Sequence, residues 1–343
     1  MGLVVRKEER TANSTYKKLA VQWLNEALCF VSSFEVADSL VLRNRHCAKR
    51  QNVSSNFMRT LITILILLMT DNLTLANDID NLQTKEDVQK FLVKVNPKWE
   101  KYDFFNNAGK VDTSAYGKGK FFKIDLDNNG LTDLVINGKY FFSVTDNGNG
   151  KYESHFIDRG TFMLDKHTLK NILYIEKTPL LIIGSYSEYN FGKNNDTTTD
   201  TLVLKFGEFY EYNSKPDNFK IEEISFSTSH CYGTCPVFEL TIKADVTAKY
   251  NAIEYNDKKG KFETVLDTAT FNKLLQTINY LNLTSLKDEY SVNWTDDQTS
   301  TLEVKFNDGR IKKISDYGMI GTFGLEHLYD QIFALRKTQK WKR

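Results

Sequence analysis

A chain of 343 residues, 41% hydrophobic and 26% charged, is long enough to bury one large core or two modest ones. Its 45 Lys/Arg against 44 Asp/Glu leave a net charge of +1 with both signs interspersed, so no basic field exists to gather nucleic acid or an anionic membrane surface. The 17 Tyr and 23 Phe favour strands, because flat side chains pack well on a pleated surface.

Residues 1–57 show no sustained helical or strand period and read as a mis-assigned upstream extension. Residues 58–76, MRTLITILILLMTDNLTLA, place Arg59 beside a methionine, then an apolar run from Leu61 to Met69, then Thr-Leu-Ala, the pattern of a secretory signal peptide. The run falls well short of the roughly 20 residues that span a bilayer, so no permanent membrane span is expected after cleavage. A signal peptide opens a chain, which makes Met58 the expected start; the alternative is a cytoplasmic extension before a signal anchor. Export after Ala76 leaves behind Cys29 and Cys47, so that only Cys231 and Cys235 meet an oxidising compartment, periplasmic or extracellular in a bacterium. The Asn, Lys, Ile, Phe and Tyr bias fits a low-GC bacterial source.

The spacing then predicts a β-rich domain over 77–216. Thr84 caps a helix with Asp87 at the third position, Val88, Phe91, Leu92 and Val95 recur at helical spacing, and Pro97 ends it. FFKIDL, TDLVI, KYFFSV, NILYI, PLLIIGSY and TLVLKFGEFYEY read as strands, with GKNNDTTTD (Gly192 to Asp200) a polar loop and SKPDN (Ser214 to Asn218) a linker.

Residues 217–343 have a different rhythm. EISFSTS, VFELTIKA, TAKYNAI and KFETVL read as strands, followed by a helix capped by Asp267 that aligns Phe271, Leu274, Leu275, Ile278 and Leu281. TLEVKFNDGRIKKISDY reads as a hairpin, and a last helix carries Leu325, Leu328, Tyr329, Ile332 and Phe333. The tail RKTQKWKR is short and basic and is expected to stay solvated. The fold class expected for the whole is α+β: a β-rich N-terminal domain, then an antiparallel-sheet domain with two helices packed on one face.

Two loops carry candidate chemistry. In DLDNNGLTD, Asp125, Asp127, Asn129 and Asp133 offer hard oxygen ligands, and Leu131 offers a carbonyl, at a spacing that suits Ca²⁺ bound on the order of millimolar. An EF-hand needs an acid eleven residues after Asp125, where Ile136 stands, so this is not one. The loop resembles the D-x-D-x-[DN]-G-x-x-D-L loops of secreted FG-GAP-type repeat proteins, in which calcium sits in a β-turn-β element. VTDNGNGKY (Val144 to Tyr152) lacks the acidic spacing, which argues against a full propeller. The competing reading is a turn whose Asp and Asn side chains bond their own backbone.

In HCYGTCP, three readings stand. Cys231 and Cys235 form a disulfide staple contributing about 2 kcal/mol, or a redox couple, or, with His230, a soft-metal site for an ion such as Cu(I). C-x-x-x-C-P resembles the copper motif of Sco-type assembly proteins, which place it before a helix, whereas a strand is predicted after Pro236. Over residues 221–337 the layout, including Cys231, Gly233, Cys235, Pro236, Asp297 and Tyr317, resembles a domain of unknown function recurrent in exported bacterial envelope proteins and marked by C-[FY]-G-x-C-P. That resemblance implies the domain boundary and export without any activity.

No nucleophile elbow, phosphate loop or zinc helix is present, which leans against catalysis. Asp296 and Asp297 beside Trp294, and Asp316 with Tyr317, would matter only if a deep pocket gathered them. His155, His167 and His327 are expected in surface or satisfied-core roles. The expectation is therefore a non-catalytic envelope binding or structural module, whose partner is an envelope protein or glycan and whose only cofactor is Ca²⁺. The alternative is a periplasmic thiol-redox or copper-handling protein using Cys231, Cys235 and His230.

Overall fold

The computed structural model describes residues 77–105, 114–159, 165–187 and 198–343. The upstream extension, the signal peptide and most of the polar loop at 192–200 lie outside them. The described residues fall in one compact unit, Thr74–Arg343, and form an α+β fold of three sheets and three α-helices.

Helix α1 (Lys85–Val95) starts where expected: the Thr84 hydroxyl accepts from Asp87 N, and the Asp87 carboxylate accepts from Thr84 N at 2.9 Å. Its apolar side, with Ile79, covers one face of a four-stranded antiparallel meander. That meander comprises β1 (Lys120–Ile124), β2 (Asp133–Asn137), β3 (Phe141–Asp146) and β4 (Tyr152–Phe156). Strand alternation divides the work: Leu134, Ile136, Phe142 and Val144 point to the α1 side, while Val135 and Phe141 point the other way.

A second meander packs against that other face through Leu169, Leu181, Ile183, Leu202 and Phe209. Its strands are β5 (Asp165–Ile175), β6 (Thr178–Ser187), β7 (Thr198–Lys205) and β8 (Glu208–Glu211). The sequence pattern predicted one long strand over 201–212, but the chain folds back on itself at Phe206 and Gly207, both with positive φ, so that Lys205 pairs with Glu208. A Phe-Gly turn lacks the Asn-Gly or Asp-Gly signature that advertises such hairpins.

The remaining strands make a seven-stranded sheet. In chain order they are β9 (Ile221–Thr228), β10 (Val237–Lys243), β11 (Thr247–Glu254), β12 (Gly260–Val265), β13 (Glu289–Ser291), β14 (Thr299–Phe306) and β15 (Ile311–Tyr317). They lie in the order β12-β11-β10-β9-β14-β15-β13, with β13 parallel to β15. Helices α2 (Thr268–Tyr280) and α3 (Phe323–Thr338) bury Phe271, Leu274, Ile278, Leu328 and Ile332 against the inward residues of β9, β10 and β14. Asp267 caps α2 through Thr270 N, as the sequence predicts.

The two regions share a core. Phe323, at the start of α3, is buried among the side chains of the first two sheets, with the Arg159 guanidinium 3.7 Å above its ring. Tyr210 of β8 packs edge-on against Tyr280 of α2. Asn213 donates to the Tyr280 carbonyl and Asp217 N to the Asn279 carbonyl, which ties the predicted linker to α2. Glu211 completes the junction: its two oxygens accept from Phe323 N at 2.6 Å and Gly324 N at 3.1 Å, placing an anion on the α3 N-terminus. Glu211→Ala is expected to lower stability by about 2 kcal/mol, because two charge-assisted bonds vanish and two helix N–H groups lose their acceptor. Urea denaturation checks this, and an unchanged midpoint would show that the N–H groups find other partners.

The basic tail is a correction. It does not stay solvated: Trp341 is buried and donates to the Leu335 carbonyl, and Lys342 and Glu263 exchange backbone bonds at the sheet edge. Tyr250 offers the indole a ring at 5.1 Å, and apolar burial outweighs the solvation of three flanking cations that keep their heads in water.

Candidate functional site

The loop after β1 is shaped by its own side chains. Asp125 accepts from Asn129 N and Gly130 N, Asp127 accepts from Asn129 N, and Asn129 accepts from Leu131 N. These are Asx turns, and Asn128 sits in the left-handed region at φ 61° to make them possible. Asp133 reaches back from β2, accepting from Leu126 N at 2.7 Å and Asp146 N at 2.8 Å while fully buried. The outcome is that carboxylate oxygens of Asp125, Asp127 and Asp133 lie within 4.8 Å of one another.

Of the predicted ligands, those three acids converge. Asn129 instead braces the loop, donating to Asp127 and to the Asp146 carbonyl, and Leu131 enters through its N–H. Burial pushes the Asp133 carboxyl up to about 7, its two backbone donors notwithstanding, and Asp127 and Asp125 reinforce that rise. Asp127 rises too, from burial first and the Asp125 charge second. The cluster thus resists full ionisation on its own, the condition that a divalent cation relieves.

In the loop between β9 and β10, Cys231 and Cys235 are disulfide-bonded, with 5.8 Å between their Cα atoms. Gly233 N donates to Cys231 Sγ inside the ring, and Tyr232 at its tip is 89% exposed. Buried Gln298, which no sequence pattern singles out, holds the loop closed from outside: its amide donates to Ser229 O at 2.7 Å and Pro236 O at 2.9 Å, one on each side of the bridge. Strand β10, not a helix, follows Pro236. His230 bonds Glu254 at 2.8 Å on the exposed surface.

The Asp297 carboxylate accepts from Trp294 Nε1 and Gln298 N, and its own N–H donates to the Tyr317 hydroxyl, so this acid organises its loop. Asp296 links that loop to the disulfide ring by accepting from Tyr232 N. Asp316 is buried, and burial holds its carboxyl above the ordinary range while Gly321 N donates to it.

Residues 222–336 match the family model of a domain of unknown function (DUF6438). This third of the chain holds all seven strands of the large sheet, apart from the first residue of β9, together with all of α2 and all but the last two residues of α3. No curated protein and no solved structure matches the chain. Among the described residues, no helix is long and apolar enough to cross a membrane.

Within the matched domain the disulfide lies in the loop between its first two strands. Replacing both cysteines with serine is expected to remove about 2 kcal/mol of stability under oxidising conditions, by restoring freedom to the unfolded chain. The variant and the wild type should then melt alike under reducing conditions, and a difference that persists in reductant would assign the effect to packing.

Histidines separated in sequence meet in space. His155 and Thr145 are buried with Nε2 and Oγ1 3.0 Å apart, and His155 Nδ1 lies 3.4 Å from Glu208 of β8. Burial works to raise Glu208, but the His155 hydrogen bond and the charges of His327, His155 and Lys273 outweigh it and hold the carboxyl below its usual range. Burial lowers His327, whose ring sits 5.3 Å from Tyr210. No motif could have signalled this cluster, because its members come from β4, β8 and α3.

Proposed function

We propose that this chain is an exported, non-catalytic binding module of a bacterial envelope, with a calcium-dependent loop in its β-rich part and a disulfide-stapled α+β domain after it. The observation that carries the reading is the convergence of Asp125, Asp127 and Asp133 within 4.8 Å in a turn already braced by its own backbone bonds. Rigid loops of this kind hold Ca²⁺ weakly, on the order of millimolar, which matches extracellular and not cytosolic concentrations. The bonded Cys231 and Cys235 support an oxidising compartment. The acids that could have served catalysis in the second region support a structural role, since Asp297 is committed to Trp294 and the loop backbone.

Two measurements test this. Intact mass of the protein recovered from the exported fraction, with and without reduction and alkylation, should begin at Asn77 and show no free thiol. Two alkylatable thiols or bound copper would replace the staple with the thiol or copper-handling reading built on Cys231, Cys235 and His230. Calcium titration by calorimetry should give one site that Asp127→Asn weakens about tenfold or more, the loss of one charged ligand. A calcium affinity indifferent to that substitution would remove the loop from the proposal.

A further inference from the structure

A cleft of about 650 Å³ opens beside the acidic loop, with Asp127 forming part of its wall. That volume is within the range that holds small ligands. Its deep side is polar and pre-arranged: Thr145 and His155 are buried there, and Glu208 holds the imidazole from behind. Its outer side carries Asn147, Glu153 and Lys205, all exposed, whose side chains make no hydrogen bond among the described residues. Glu153 stands directly across the β3–β4 pair from Thr145, so the rigid sheet fixes its place.

The chemistry of this lining narrows the ligand. Asp127 and Glu153, joined by Glu176, oppose an anion such as a phosphate ester. Lys205, held over the Phe206 and Tyr280 rings at 5.3 and 5.1 Å, supplies the lining's one ammonium donor. What suits a wall that mixes carboxylate acceptors, an ammonium donor and an amide offering both is a neutral molecule whose own groups donate and accept, as hydroxyls do. The half-buried ring of Tyr212 adds apolar surface of the kind that covers the C–H face of a sugar ring.

We propose that this cleft binds a neutral glycan segment of one or two sugar residues, with Asp127 shared between the cleft wall and the cation loop. The inference rests on the reading of the chain as a binding module and names its ligand class. Because Asp127 belongs to both, cation binding fixes one wall of the cleft and strengthens sugar binding, and the coupling is reciprocal.

Saturation-transfer NMR on the full chain with cellobiose and with N,N′-diacetylchitobiose at millimolar concentration tests this, with a sulfated disaccharide as the anionic probe. The expected result is transfer to ring protons of at least one neutral sugar, stronger with calcium than with chelator. The double substitution Asn147→Ala with Glu153→Gln should weaken it about tenfold or more while leaving the melting temperature unchanged, since both side chains are exposed. No transfer to either neutral sugar, a signal from the sulfated probe alone, or transfer indifferent to the double substitution each overturns the proposal. Calorimetric calcium titration of the same samples separates the two readings: intact calcium binding without sugar binding sinks the glycan inference alone, and sugar binding without calcium binding sinks the calcium loop together with the proposed coupling.

Discussion

In the presence of a calcium chelator, stability is expected to fall as pH rises from about 4 to about 7, by up to about 4 kcal/mol, and to level off above that. The cause is Asp133, whose carboxyl moves from an ordinary value of 3.8 to about 7 on folding. Well below 3.8 the group is protonated in both states and contributes nothing unfavourable. Between the two values the unfolded chain has released its proton and the folded chain still holds it, so each step up in pH favours unfolding. Asp316 rises in the same sense, again from burial, so the Asp133 share is isolated by comparison with Asp133→Asn, which should flatten the profile in that window. Millimolar calcium should flatten it as well, because a bound dication stabilises the ionised carboxylates. Urea denaturation across pH reads all three curves. A wild-type profile with no downward slope between pH 4 and 7 would refute the buried-acid account, and a slope that calcium leaves untouched would refute the cation loop.

Gly138→Ala should be the most disruptive single methyl group in the N-terminal half, lowering stability by about 3 kcal/mol. A Cβ at this position would lie 2.0 Å from the Phe104 carbonyl oxygen, a backbone atom that has no side-chain freedom with which to give way. The same carbonyl accepts from Lys139 N at 2.8 Å, so the segment is held close by the hydrogen bond beside it. Retreat would also displace the Phe104 ring from Trp99, Tyr140 and Phe142, where it closes the aromatic layer between α1 and the first sheet. Loss of the near-ultraviolet circular dichroism from these rings, together with a lowered urea midpoint, is the expected signature. A variant that folds with wild-type stability would show that the Phe104 segment is softer than its contacts imply.

Much of the fold was legible because its signals are local. The Thr84 and Asp87 capping box, the Asp267 cap, the helical spacing of Leu325, Leu328, Tyr329 and Ile332, and the Asn-Asp-Gly-Arg turn each depend on residues a few positions apart. What escaped was weakly patterned or ended in a contact from elsewhere. Strand β4, YESHF, has only one buried residue, His155, so it carries no apolar alternation to read. The β7–β8 hairpin turns on Phe-Gly, and the tail is ordered by the Trp341 ring finding Tyr250 across ninety residues.

The candidate site divides along the same line. That Asp125, Asp127 and Asp133 meet follows from nine consecutive residues, since side chains in a tight β-turn-β element have nowhere else to go. The pairing of Cys231 with Cys235 is local in the same way. The cleft beside the loop belongs to the tertiary structure, because Thr145, His155, Glu208 and Tyr280 come from two sheets and a helix and are brought together only when apolar faces stack. So does the seating of Phe323 in the N-terminal core with Glu211 on its helix end. Local geometry and short-range hydrogen bonds are written in neighbouring residues, whereas burial is non-directional and its partners are chosen by the whole chain at once.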